Sequence, residues 1–232
     1  MAMTAALEVD IVPSLLSADL ARLPQQLRQI CDAGAGWVTV DVMDGHFVPN
    51  LSFGPDFVRA VKRLAPLRVE AHLMVTNPET VAPWFVKAGA DRVIFHIEAT
   101  RDARTLLRAI RAQGAQAGVA VKPGTPTDGL LPFLGEADLA LIMTVEPGFG
   151  GAKFLAPMLP KIAAVRRALD EGGWPCRLQA DGGINLETVE AAAKAGADVF
   201  IAGHGVFDTA DPAGAIRDLR AKAQAAICGG KA

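Results

Sequence analysis

Asp41, His72 and Asp181 each stand at or near the end of a short apolar run. In an extended run alternate side chains point to opposite faces, so Thr39, Asp41 and Met43 share one face and Val38, Val40 and Val42 the other. The same parity groups Glu70, His72 and Met74, then Leu141, Met143 and Val145, then Gln179 and Asp181. A single Asp or His at a strand end ordinarily ties down a loop by hydrogen bonding. Three at one mouth imply more, because a buried carboxylate is costly unless paired, protonated or bound to metal. Two Asp and one His make a ligand set for a divalent ion, Zn2+, Mn2+ or Fe2+. Met43, Met74 and Met143 fall on the same faces. Such residues usually fill core gaps, and a thioether wall would also suit a diffuse anion held between two bases.

Glycine-rich turns follow the last three apolar runs: Pro147, Gly148, Phe149, Gly150 and Gly151; then Asp181, Gly182 and Gly183; then Gly203, His204 and Gly205. Each could be an ordinary tight turn. Their position, after what read as the last three of eight strands, suits a phosphate held by backbone N–H groups, which glycine lets approach closely. The first of these turns could also serve as a mobile lid. His46 reads as a loop hydrogen-bonder, His96 as structural, and Lys122 as a solvated strand end in preference to a charge near the anion.

What positions these residues is a repeated phrase. Ala33-Gly34-Ala35, Ala88-Gly89-Ala90-Asp91 and Ala195-Gly196-Ala197-Asp198 each lead into a β-branched run, and Gly135-Glu136-Ala137-Asp138 is a looser copy. In each, a helical pattern stops at a residue suited to the left-handed C-terminal position, and a strand follows. Strands are expected at 11–13, 38–42, 68–74, 92–97, 117–121, 139–145, 177–180 and 199–202, with helices at 20–31, 80–87, 103–113, 157–169 and 186–194 among those filling the gaps. Strict alternation argues a parallel sheet. Eight units in 232 residues favour an α/β fold of the TIM (β/α)8 barrel type, a single domain over 1–232. An open, doubly wound sheet would want G-x-G-x-x-G after the first strand, which is missing.

Composition narrows the class. A formal net charge of -2 gives no bulk electrostatic case for nucleic acid or anionic membrane. Three scattered cysteines without a C-x-x-C argue a reducing compartment, with no disulfide framework and no zinc ribbon. Residues 1–10 carry acidic groups and lack a basic stretch followed by an apolar run, so no signal peptide is read there. No run is long enough to span a bilayer, and a cytoplasmic protein is expected.

Taken together, the segments Pro13-Ser14-Leu15-Leu16-Ser17-Ala18-Asp19, Val40-Asp41-Val42-Met43-Asp44-Gly45-His46-Phe47-Val48-Pro49-Asn50, His72-Leu73-Met74-Val75, Met143-Thr144-Val145-Glu146-Pro147-Gly148-Phe149-Gly150-Gly151 and Asp181-Gly182-Gly183-Ile184 resemble the ribulose-phosphate 3-epimerases. The resemblance runs from about residue 11 to about residue 219, and the second and fourth segments are long and specific. It implies a TIM barrel that interconverts D-ribulose 5-phosphate and D-xylulose 5-phosphate. Asp41 and Asp181 would be the two bases on opposite faces of C3, with a cis-enediolate between the two proton transfers. One divalent metal ion would hold the substrate oxygens as a Lewis acid. Ser14 and His72 would touch the substrate, and Gly148, Phe149, Gly150, Gly151, Gly182, Gly183, Gly203 and His204 would surround it or its phosphate. It also implies a place in carbohydrate metabolism, in the pentose phosphate pathway, and a homo-oligomer.

The chain departs from the family's pattern at three of these positions. Thr39 stands where the family usually has a metal-ligating His, Gln179 where it has Glu, and His204 where it has Ser. A neutral hydroxyl is a poor ligand for Zn2+ or Fe2+ beside imidazole. Either the metal keeps Asp41, His72 and Asp181 with lower affinity, or neutral donors stabilise the enediolate, or His204 shifts the choice of substrate. Other readings are another ketose-phosphate 3-epimerase, such as one for allulose 6-phosphate, and a non-catalytic sugar-phosphate-binding barrel. A phosphate-binding decarboxylase would want Lys in a D-x-K-x-x-D pattern at Asp41, where Val42 and Met43 follow instead.

Overall fold

A computed structural model describes residues 8–229. Residues 1–7, where no signal peptide was expected, lie outside the described residues, as do 230–232 at the other end of the single-domain expectation. The strands are β1 (Asp10–Pro13), β2 (Trp37–Met43), β3 (Arg68–Met74), β4 (Arg92–His96), β5 (Gln116–Val121), β6 (Leu139–Met143), β7 (Arg177–Asp181) and β8 (Val199–Ala202). The helices are α1 (Leu23–Asp32), α2 (Pro55–Leu64), α3 (Pro78–Ala88), α4 (Ala103–Ala112), α5 (Leu159–Gly172), α6 (Val189–Lys194), α7 (His204–Phe207) and α8 (Pro212–Gly229). All the strand pairs are parallel, in the order β1-β8-β7-β6-β5-β4-β3-β2. A single bridge, Ser14 to Thr39, joins β1 to β2 and closes the (β/α)8 barrel.

The pattern of burial explains why the chain adopts this form. Val12, Ile94, Ala120, Leu139, Leu141, Met143, Val199 and Ile201 cluster inside the barrel. Val38, Val40 and Val42 join the larger layer between strands and helices, with Phe85, Phe95 and Phe200 among its fully buried members. The repeated Ala-Gly phrase does local work. Gly89 ends α3 at φ 101°, a left-handed conformation that costs a glycine little, and its N–H returns to Phe85 and Val86. The Asp that closes three of the phrases then binds the start of the preceding strand. Asp91 accepts from the N–H of Val69, Asp138 from that of Ala117, and Asp198 from that of Leu178. Each carboxylate satisfies an N–H at the strand's lower end and so holds the register that aligns the opposite end.

Some boundaries differ from the sequence expectation. β6 stops at Met143 rather than 145: the Thr144 N–H makes the last ladder bond, to the carbonyl of Asp181, and its hydroxyl caps the carbonyls of Asp181 and Gly182. The expected helix at 20–31 opens with a 3-10 turn, Leu20–Arg22, before Pro24 enters at the start of α1. The helix expected at 186–194 starts only at Val189, since Asn185 and Thr188 form a hydrogen-bonded turn first. Between β5 and β6 the chain makes two 3-10 turns, Thr127–Gly129, preceded by Pro126, and Leu131–Phe133, with Pro132 inside it; neither proline offers an N–H to a longer helix.

Candidate active site

Cross-strand register brings the three ionisable groups together. Asp41 lies beside His72 across β2 and β3, and Asp181 beside Met143 across β6 and β7. Ligand atoms of Asp41, His72 and Asp181 all lie within 4.8 Å of one another. Nδ1 of His72 is 3.1 Å from Asp41 Oδ1 and 3.5 Å from Asp181 Oδ2. The Ser14 hydroxyl donates to the other Asp41 oxygen at 2.5 Å, across the barrel's closing seam. Asp41 thus has a hydroxyl against one oxygen and an imidazole nitrogen against the other.

The surroundings push the other groups apart. Burial first, and the charge of Asp41 second, raise Asp181 to about 8, with His72 acting against them. Burial would lower His72, but Asp41, Asp181 and Glu70 outweigh it and the imidazole is raised. An acid held protonated beside a hydrogen-bonded carboxylate is the arrangement in which two carboxyl groups can take different roles. The donor set of two carboxylates and one imidazole suits a divalent ion. Thr39 lies in the same barrel interior, fully buried, and its Oγ1 has no hydrogen-bond partner. Nothing in the structure explains a hydroxyl there.

Above these groups is a cavity of about 170 Å³, bordered by Ser14, Asp41, Gly148, Phe149, Gly150, Gly151, Asp181, Gly182, Gly183, Gly203 and His204. The three glycine turns therefore come to one place, and Met43, Met74 and Met143 form its apolar side. His72 sits beneath, fully buried. Gly183 has φ +66° and a backbone neighbour, Phe154, so close that no side chain would fit. His204 opens α7, about half exposed, with Nδ1 3.0 Å from the Ser17 hydroxyl. Phe149 stands 60% exposed at the rim.

Three other sequence readings meet the structure differently. His46 is exposed and bonds to Asp44 within its own loop. Lys122 is not a solvated strand end: its ammonium lies 3.6 Å from the centre of the Phe47 ring and donates to the Phe47 carbonyl. A flexible cation beside an aromatic face finds a better partner there than water alone. His96 is fully buried, as a structural residue would be, but its Nε2 is 3.0 Å from Nε2 of His72. Burial holds it neutral, at about 4, with the nearby Glu98 opposing that shift. Strand parity puts His96 on the inner face with Ile94, but nothing in spacing alone shows that its ring reaches His72.

Two carboxyl groups set about an imidazole at the C-terminal mouth of a parallel barrel mark a (β/α)8-barrel enzyme of the acid–base kind. The match to known proteins narrows this. Residues 10–207 match the model of the ribulose-phosphate 3 epimerase family. A Mycobacterium tuberculosis protein named ribulose-phosphate 3-epimerase is 47% identical over 216 residues, 93% of this chain and 93% of its own. The Bacillus subtilis protein of that name is 41% identical over 213 residues, covering 91% and 98% of the two chains. A rice protein named as the cytoplasmic isoform is 40% identical, covering 94% and 96%. The chain belongs to the ribulose-phosphate 3-epimerase family and is an isomerase of the epimerase kind. Among solved structures, KGPDC from Streptococcus mutans superposes with a TM-score of 0.69 at 18% identity, over 94% of this chain and 98% of that one. 3-hexulose-6-phosphate synthase from Salmonella typhimurium gives 0.68 at 21% identity, over 95% and 99%. These two show the barrel fold alone. No helix among the described residues is long and apolar enough to cross a membrane.

Proposed function

We propose that the chain interconverts D-ribulose 5-phosphate and D-xylulose 5-phosphate by proton transfer at C3. The observation that carries this reading is the meeting of Asp41 and Asp181 at His72 beneath the glycine-lined cavity. In the direction toward D-xylulose 5-phosphate, Asp41, which accepts from Ser14, removes the C3 proton. Asp181, held protonated by burial and by Asp41, delivers a proton to the opposite face and inverts the centre. The reverse direction exchanges the roles. Positioned acid–base catalysis contributes on the order of 10²–10⁴-fold, so stabilisation of the intermediate oxyanion must supply much of the remainder. Asp41, His72 and Asp181 would hold one divalent ion, Zn2+, Mn2+ or Fe2+, which supplies Lewis-acid stabilisation of the C2 and C3 oxygens. With Thr39 in place of an imidazole, the protein would hold the ion through these three side chains.

The phosphate would lie against Gly182, Gly183, Gly203 and His204, where bare backbone and a partly exposed imidazole face the cavity. Met43, Met74 and Met143 would border the reacting carbons without offering water or a competing base. A homo-oligomer in the cytoplasm accompanies this reading. The test is the rate of D-xylulose 5-phosphate formation by chelator-stripped protein, before and after addition of Zn2+ or Mn2+. Activity that returns with metal is expected. Full activity in stripped protein would overturn the metal's part, and no activity in either state would overturn the substrate and point to other ketose phosphates.

A further inference from the structure

Behind His72 lies a second imidazole and behind that a carboxylate. Nε2 of His72 and Nε2 of His96 are 3.0 Å apart, and the two ring planes are inclined by 26°, with centres 5.1 Å apart. Phe47 covers His96 at 4.9 Å, so the ring is held between two aromatic neighbours. A Glu98 oxygen lies 3.4 Å from Nδ1 of His96, which otherwise has no hydrogen-bond partner. Glu98 is itself fixed, accepting from the N–H of Lys122 and from the Thr125 hydroxyl.

Two ring nitrogens at hydrogen-bond distance share one proton: one donates and the other accepts. If His96 were the donor from Nε2, its Nδ1 would either turn a bare lone pair toward a carboxylate or make His96 a buried cation. If His72 is the donor, the His96 proton sits on Nδ1, opposite the Glu98 charge, both His96 nitrogens are matched, and Nδ1 of His72 keeps its lone pair for an ion held with Asp41 and Asp181. A histidine that serves a metal is commonly oriented by the partner of its other nitrogen. Here that partner is an imidazole backed by a carboxylate.

We propose that Glu98 and His96 are positioning residues that keep a proton on Nε2 of His72 and thereby aim Nδ1 at Asp41 and Asp181, where the ion and substrate would sit. This deepens the metal-assisted reading above and rests on it. His96 and Glu98 act through His72 and touch neither substrate nor ion.

The chain has four histidines, so their ring nitrogens can be resolved by 15N-imidazole NMR of the full-length protein, with signals assigned through His96→Phe and His46→Gln. The expected spectrum has Nε2 of His72 protonated and Nε2 of His96 bare, with and without Zn2+. In His96→Phe, which keeps a ring and removes the acceptor, Zn2+ binding measured by calorimetry should weaken about 10–100-fold. Glu98→Gln, which can still accept from Lys122, should weaken it less. Should His96→Phe not fold, Glu98→Gln and the wild-type spectrum carry the test. A protonated Nε2 on His96, or Zn2+ affinity unchanged in the variants, overturns the proposal. Wild-type protein that binds no Zn2+ would instead overturn the metal-assisted reading, while the spectrum still decides which imidazole donates.

Discussion

Asp41 and Asp181 are chemically the same group in unlike surroundings. Asp41 takes a hydroxyl on one oxygen and an imidazole on the other, whereas Asp181 is raised by burial and by its neighbour's charge. If they work as opposed bases, removing one should stop inversion without stopping proton exchange on the other face. Asp41→Asn and Asp181→Asn should each lower kcat by roughly 10²–10⁴-fold, with a much smaller change in KM. In deuterated water, a single-carboxylate variant should return deuterium to C3 of the ketose that faces its remaining base, without forming the epimer. Mass spectrometry of recovered substrate reads this directly. Inversion that persists at more than a tenth of the wild-type rate in either variant would show that the pair does not divide the chemistry in this way.

The loop between β2 and α2 turns an alignment of strands into a site. Asp44 accepts from the backbone N–H groups of Thr76, His46 and Phe47 and from the Thr76 hydroxyl, joining the ends of β2 and β3. Burial opposes its ionisation, but these bonds win and lower it from 3.8 to about 2. A carboxyl group depressed in the folded state stabilises fully above its unfolded value and loses that contribution as pH falls through the folded one. Wild-type protein should therefore exceed Asp44→Asn in stability at pH 7, and the gap should close between pH 3.8 and about 2. Urea unfolding across that range checks it; an equal gap at both ends would show that the charge on Asp44 is not what holds the loop. How much of this was legible follows from the range of each interaction. The eight strands were legible because helix ends at glycines such as Gly89 and runs such as 68–74 are local, and period-two parity put Asp41, His72 and Asp181 on the inner face. Ends set by contacts between strands were not, as at Thr144, nor was the His72–His96 pair. Both depend on how far neighbouring strands are staggered, and a sequence read one strand at a time does not contain that offset.

Across the whole barrel, the candidate site rests on a polar layer that includes Glu70 and Gln179, two residues below His72 and Asp181. Glu70 of β3 is fully buried, paired with Arg92 of β4 at 2.8 Å, and accepts from the Gln179 amide of β7 at 3.1 Å. Arg92 also donates twice to Gln116 of β5 and lies 4.0 Å from the centre of the Trp37 ring of β2. Side chains from five strands thus meet around the Glu70–Arg92 pair. This accounts for Gln179, where the family's usual residue is Glu: a second carboxylate beside Glu70 would bury two like charges, whereas an amide donates to it. Such a layer is unforgiving of partial loss. Glu70→Ala would leave the Arg92 charge buried without its partner and should cost about 3–5 kcal/mol, a large part of the roughly 5–15 kcal/mol typical of a domain. Replacing both, as Glu70→Leu with Arg92→Leu, removes the stranded charge and should cost less than the single change, even though it deletes more of the native network. Guanidinium unfolding of the three proteins, followed by tryptophan fluorescence, measures this. A double variant less stable than Glu70→Ala would mean that the layer holds the barrel by its net attraction. The expected order, with the double variant in between, would mean that its charges chiefly neutralise one another, and that what they fix is the relative placement of β3, β4 and β7 beneath His72 and Asp181.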